Sequence, residues 1–167
     1  MAAIGHLAVG MAVGRVHCPR DATRAQLAKA MLAYCAVSML PDADVIAFAL
    51  GIPYEHQFGH RGATHSLVFA LLVAAIVAAV TRRIRVGVLA LIAVGTHGLL
   101  DMLTNGGLGV ALFWPFSVER FFFPWRPLPV APIGAHMLSA RGLYVVAVEM
   151  IYFLPLFIFA TFPRKRR

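Results

Sequence analysis

The sequence predicts an all-α fold: a polytopic transmembrane helical bundle of about five spans, with a broken second span and a long aromatic outer loop. Three observations lead there. Hydrophobic residues make up 60% of the 167-residue chain and charged ones only 13%, a composition of membrane rather than soluble domains. Several apolar stretches approach the roughly 18 residues that about 30 Å of hydrocarbon requires. The basic residues collect in the connections between those stretches. The whole chain, 1–167, therefore reads as one transmembrane domain.

The spans follow in order. Residues 1–16 lack the basic leader of a signal peptide and carry His6, so they are retained as a short first helix. Residues 27–50 are long enough to cross, with Pro41, Asp42 and Asp44 interrupting them. Residues 67–80 are unbroken apolar sequence, extended by 64–66 and Thr81, and 86–103 and 143–162 complete the set.

The formal charge of +8 would point to nucleic acid in a soluble protein, but its distribution has another explanation. Arg15, Arg20, Arg24 and Lys29, then Arg82, Arg83 and Arg85, then the tail 164–167 place eleven of the fifteen basic residues on one side of a five-span chain. Arg61, Arg120, Arg126 and Arg141 remain for the other. The positive-inside rule then puts the N-terminus in the periplasm and the C-terminus in the cytoplasm, with no nucleic-acid partner. Cys18 and Cys35 have no metal or redox spacing, and no disulfide is expected between them.

Histidines and aspartates stand where apolar segments meet their polar flanks. An aspartate at mid-bilayer costs roughly 2.5–3.5 kcal/mol on insertion scales, so such residues persist where they bind or react with something. His6, Asp42, Asp44, His65, His97 and Asp101 all fall towards the outer ends of their spans when helical rise is counted. His97 and Asp101 are four apart and share a helical face. Asp42 and Asp44 can face one site only if the helix breaks, and Pro41 supplies the break. His60 and His65 fit a loop followed by a helix, with Gly62 permitting the turn and Thr64 or Ser66 as the cap. His17 and His136 lie away from this level and are not expected to be ligands, and Glu55 and His56 belong to a solvated loop. Glu149 is expected to pair with Arg141.

The connection 104–142 is longer than simple connectors are. Phe113, Trp114, Phe116, Phe121, Phe122, Phe123 and Trp125 crowd its first half, with Arg120 and Arg126 interleaved. Such aromatics anchor a segment at headgroup level. An arginine there would bind a substrate phosphate bidentately, which makes Arg120 and Arg126 the substrate-binding candidates and the segment a lid.

These residues together resemble the bacterial inner-membrane family typified by YdjM, described as membrane-bound metal-dependent hydrolases and as LexA-regulated or LexA-binding hydrolases. The resemblance runs in order through His6, the run Pro41-Asp42-Ala43-Asp44, His60-Arg61-Gly62-Ala63-Thr64-His65-Ser66 and His97-Gly98-Leu99-Leu100-Asp101. It continues through Thr104-Asn105-Gly106, Phe113-Trp114-Pro115-Phe116-Ser117 and Phe123-Pro124-Trp125-Arg126-Pro127. It implies a multi-pass inner-membrane hydrolase with a distant likeness to zinc-dependent phospholipase C. Carried over, it nominates His6, Asp42, Asp44, His60, His65, His97 and Asp101 around a divalent metal.

Seven donors exceed one tetrahedral zinc, so one or two ions are expected, zinc first and manganese or magnesium as alternatives. Metal-activated water would cleave a phosphoester or related bond of a membrane lipid or lipid-linked substrate near the periplasmic face. Asp44 or His60 would act as general base, and Arg61 or Arg126 would offset developing negative charge. Two other readings use the same residues. A metal-ion transporter would carry polar residues onward through the inner halves of the spans, which are apolar here. A non-enzymatic stress protein would use the metal for stability alone.

Overall fold

The computed structural model describes residues 3–163; the basic tail 164–167 lies outside them. The order is α1 (Ala3–His17), α2 (Arg24–Ser38), a 3-10 turn Leu40–Val45 and α3 (Ile46–Ala49). A second 3-10 turn, Ala63–His65, precedes α4 (Leu67–Thr81) and α5 (Ile84–Asp101), and a third, Gly134–Leu138, precedes α6 (Ala140–Thr161). Among the described residues there are no strands, only the isolated bridges Thr104 to Leu128 and Val110 to Phe121.

Helices stand at all five expected places, but not all of them are long enough to cross a membrane alone. α5 and α6, at 18 and 22 residues, are long and apolar enough to cross a membrane. α2 and the segment Leu40–Ala49 become a third crossing if the pair, bent by 45°, is one broken span. α1 and α4 have 15 residues each, about 22 Å of rise against roughly 30 Å of hydrocarbon.

Local chemistry sets the boundaries. Thr23 caps α2 in a reciprocal box with Gln26. Ser66, not Thr64, caps α4 by accepting from the Phe69 N–H, and Ser139 caps α6 in the same way. Pro41 stands in the first turn of the 3-10 segment, where its missing N–H costs nothing, and the 45° bend between α2 and Leu40–Ala49 follows from it.

α1 packs against α2, α5 and α6. It approaches α2 closely because Gly10 and Gly14 are one turn apart: a Cβ on either would lie 2.6 Å from the Cα of Cys35 or Met31. Arg15 donates to the carbonyls of Ala160 and Phe162, and Arg85 donates to that of Val16. These bonds tie the C-terminal ends of α1 and α6 and the N-terminal end of α5 together, so the basic connections gather at one end of the bundle. Glu149 is buried in α6 and accepts from the Gly5 N–H of α1. The expected partner Arg141 lies instead over the Tyr144 ring, because eight helical residues separate it from Glu149 by about 12 Å.

Between α5 and α6 the chain folds back irregularly over the end away from the basic connections. Phe123 N–H donates to Met102, Leu128 N–H to Leu103 and Asn105 N–H to Leu128. Val110 and Leu112 are buried with Met102, packed by Phe121, while Phe116 and Trp125 are exposed.

Candidate metal centre

At that end α1, the 3-10 turn after α2, the turn before α4 and the last turns of α5 meet. All seven nominated side chains lie in this junction, as a network linked through short contacts. His6, Asp44, His60, His65, His97 and Asp101 are buried, and Asp42 is partly so. The His6 and His97 rings stack with centroids 3.5 Å apart and planes within 7°.

Two donor sets overlap at His65, and either brings three or more ligand-type atoms within 4.8 Å of one another: Asp42, His65, His97 and Asp101, and Asp44, His60 and His65. They are held differently. Asp44 accepts on Oδ1 from His60 Nδ1 at 2.7 Å, and on Oδ2 from Thr64 Oγ1 at 2.6 Å and the Arg61 N–H at 3.1 Å. Its Oδ2 also lies 3.2 Å from His65 Nδ1. The second set is thus already joined by hydrogen bonds.

The first set is not. His97 Nδ1 lies 2.7 Å from the Ser38 carbonyl, which can only accept, so this nitrogen carries the proton. Thr64 Oγ1, whose own proton goes to Asp44, lies 3.1 Å from His65 Nδ1 and accepts from it, so His65 has the same tautomer. The Nε2 atoms of both rings are buried without a hydrogen-bond partner, as are both ring nitrogens of His6. His97 Nε2 lies 3.3 Å from Asp42 Oδ1, and His65 Nε2 lies 3.6 Å from that oxygen and 3.5 Å from Asp101 Oδ2. Acceptors therefore face acceptors, and a cation between them resolves the conflict. A tetrahedral site with bonds of about 2.1 Å has ligand atoms about 3.4 Å apart, close to these separations. The donor set is of the right kind: carboxylate oxygens of Asp42 and Asp101 stand beside imidazole nitrogens of His65 and His97. The residues fit a divalent ion.

Arg61 is built in. Its backbone is left-handed at φ 61°, unusual for a residue with a side chain, and is held by its N–H on Asp44 and its carbonyl on the Ala111 N–H. Its Nε lies 3.0 Å from Asp101 Oδ2, and its Nη1 donates to Thr104 Oγ1 and the Gly106 carbonyl. Gly98 is required by packing: a Cβ there would lie 2.4 Å from the His65 carbonyl oxygen.

A cavity of about 380 Å³ opens onto this cluster, lined by Asp42, Tyr54, His60 and Arg61 on one side and by Val130, Ile133 and Met137 on the other. Burial raises the pKa of the Tyr54 phenol, so it keeps its proton and can donate into the cavity. The expected substrate arginines lie elsewhere. Arg120 spends its guanidinium on the carbonyls of Tyr54, His56, His60 and Gly109, and exposed Arg126 lies over the Phe122 ring. Apart from Gly107, the connection's share of the cavity wall comes from residues 130–137 and not from the aromatic stretch. His17 bonds Tyr34 and exposed His136 sits in the third 3-10 turn, both away from the cluster. Cys18 and Cys35 are not disulfide-bonded. Sequence reasoning did not find Ser38, which acts through its carbonyl and so leaves no side-chain signal, nor Tyr54. Thr104 was visible only within the Thr104-Asn105-Gly106 motif.

The fold and site define a class: an α-helical membrane protein with a buried histidine and aspartate cluster suited to a metal ion. The chain belongs to the YdjM inner membrane protein family, whose model matches residues 1–165. It is 42% identical over 123 residues to the inner membrane protein YbcI of Escherichia coli strain K12, covering 70% of this chain and 71% of that protein. Family and apolar helices together make it an inner membrane protein. No solved structure matches the chain.

Proposed function

We propose that this protein is a membrane-embedded, metal-dependent hydrolase that cleaves a phosphoester or related bond of a lipid-like substrate near the periplasmic face. The observation that carries the reading is the pair of buried Nε2 acceptors on His65 and His97, facing Asp42 and Asp101 beside a cavity. Those four residues would hold the ion, and zinc suits a mixed imidazole and carboxylate set. His6, stacked on His97, would join the site or wall it. A divalent ion there supplies Lewis acidity and a nucleophile at neutral pH.

The remaining chemistry falls to the protein. Asp44 orients His60 and His65, as carboxylates behind ligating histidines do. His60 has Nδ1 on Asp44, which leaves Nε2 as the base that can take a proton at the cavity edge. Arg61 lines the cavity and offsets negative charge developing there, with Tyr54 as a neutral donor beside it. The apolar residues Val130, Ile133 and Met137 suit a hydrocarbon chain.

The placement at the periplasmic face rests on the basic residues at the opposite end of the bundle. A five-span topology requires the turns flanking α1 and α4 to complete their crossings. Metal transport is less well supported, since α4 carries no ionisable residue between positions 67 and 80.

The test is metal analysis of the detergent-purified chain, followed by a screen of phospholipids and isoprenoid phosphates with and without chelator. About one or two divalent ions per chain are expected, together with hydrolysis that chelator abolishes and added metal restores. A chain that carries and takes up no ion would remove the reading. Stoichiometric ion with no hydrolysis of any substrate would leave a metal-stabilised, non-enzymatic protein.

A further inference from the structure

The end of the bundle opposite the cluster carries a second cleft that the hydrolase reading does not use. α5 packs against both α2 and α4, but among the described residues those two helices do not meet. The slot between them holds about 230 Å³, floored by Val86 and Ala90 of α5 and walled by Ala33 and Val37 of α2 and Val77 of α4. It adjoins a second cavity of about 420 Å³, with which it shares His17 and Ala30, and whose mouth carries Gln26 and Lys29. The combined cleft is apolar between the helices and polar at its mouth.

The mouth is also strongly basic. Arg85 donates to the Val16 carbonyl, next to His17, and Arg82 and Arg83 form the turn between α4 and α5. Asp21 is the one acidic residue in the two connections at this end. The slot between the helices, at about 230 Å³, is smaller than the roughly 300–1,000 Å³ of ordinary small-molecule pockets, and its apolar lining suits a single hydrocarbon chain entering sideways from the bilayer. A phosphate matches the mouth, as anionic headgroups do in basic pockets between transmembrane helices.

We propose that this cleft is a binding site for an anionic phospholipid, with one acyl chain between α2 and α4 and its phosphate at the mouth beside Lys29 and Arg85. The proposed phosphate position beside Arg85 lies about 18 Å along α5 from His97 by helical rise. It rests on membership of an inner membrane family and not on hydrolysis at the other end.

Native mass spectrometry of the full chain in detergent, titrated with phosphatidylglycerol or with phosphatidylcholine of the same acyl chains, tests it. Phosphatidylglycerol should bind more tightly. Lys29→Gln should weaken it roughly fivefold, the effect of one basic residue at an anionic headgroup. Ala33→Trp, which fills the slot, should abolish retention of the lipid. Lys29 and Ala33 are both exposed, so neither variant removes a core contact, and circular dichroism verifies the fold. Equal binding of the two lipids would overturn the anionic assignment. Wild-type lipid binding by folded Ala33→Trp would overturn the slot.

Discussion

Replacing Gly98 by alanine adds one methyl group to α5 directly beside the proposed ligand His97. The new Cβ would lie 2.4 Å from the His65 carbonyl oxygen, whereas real Cβ atoms essentially never approach within 3.0 Å. The turn Ala63–His65 or the end of α5 must therefore shift by at least 0.6 Å. Metal sites hold their ligand distances to about ±0.2 Å, so the displacement is about three times what the site absorbs. We expect a loss of roughly 10- to 100-fold in metal affinity, the range seen when supporting groups of a metal site are disturbed. Alanine is otherwise the better helix former by about 0.8–1.0 kcal/mol, so helix propensity acts against the expected loss. Gly95→Ala on the same helix is the control, because its Cβ would meet nothing nearer than the Ala70 Cβ at 3.8 Å. The assay is metal-to-protein ratio and competition with a graded chelator, on protein whose helicity is confirmed by circular dichroism. A Gly98→Ala protein that competes for metal like wild type would refute the reasoning, because His65 and His97 would then not share an ion across that contact.

The other expectations follow from the same geometry. His65→Ala, His97→Ala and Asp101→Ala should each lose metal while His17→Ala and His136→Ala keep it, by elemental analysis; wild-type stoichiometry in the first three would require the site to be redrawn. Arg120→Ala removes the donor that joins four loop carbonyls. It should cost about 2 kcal/mol and lower the thermal midpoint by about 4 °C or more; an unchanged midpoint would mean that water replaces those bonds without penalty. A reporter fused after Arg167 should behave as cytoplasmic and one inserted in 52–60 as periplasmic, and the reverse pattern would move the cluster to the other face.

The candidate site was legible in the sequence because ionisable residues are rare in apolar segments and costly there. His97 and Asp101 are read directly from their four-residue spacing, and Pro41 announces the break that lets Asp42 and Asp44 leave helical geometry. Spacing could not say which nitrogen of each ring is protonated. That depends on the Ser38 carbonyl beside His97, 59 positions away, and on Thr64 beside His65, whose own proton goes to Asp44, 20 positions from Thr64. Nor could it show that Asp44 already accepts three hydrogen bonds, or that Arg61 rather than Arg120 lines the cavity.

Composition and charge clustering by themselves determined an α-helical membrane chain with its polar chemistry at one end, because the hydrocarbon admits few other arrangements of such residues. Packing decided the rest. Two helices, or three with the bent pair counted as one span, are long and apolar enough to cross by themselves, where hydropathy predicted five spans. The pairing of Glu149 went to a backbone N–H on α1 instead of Arg141, since helical rise separates residues that sequence distance makes look near. Residues 130–137 of the α5 to α6 connection, not its aromatic stretch, line the cavity. Periodicity within one segment reports which face is apolar, but which segments meet, and through which atoms, exists only once the helices have packed.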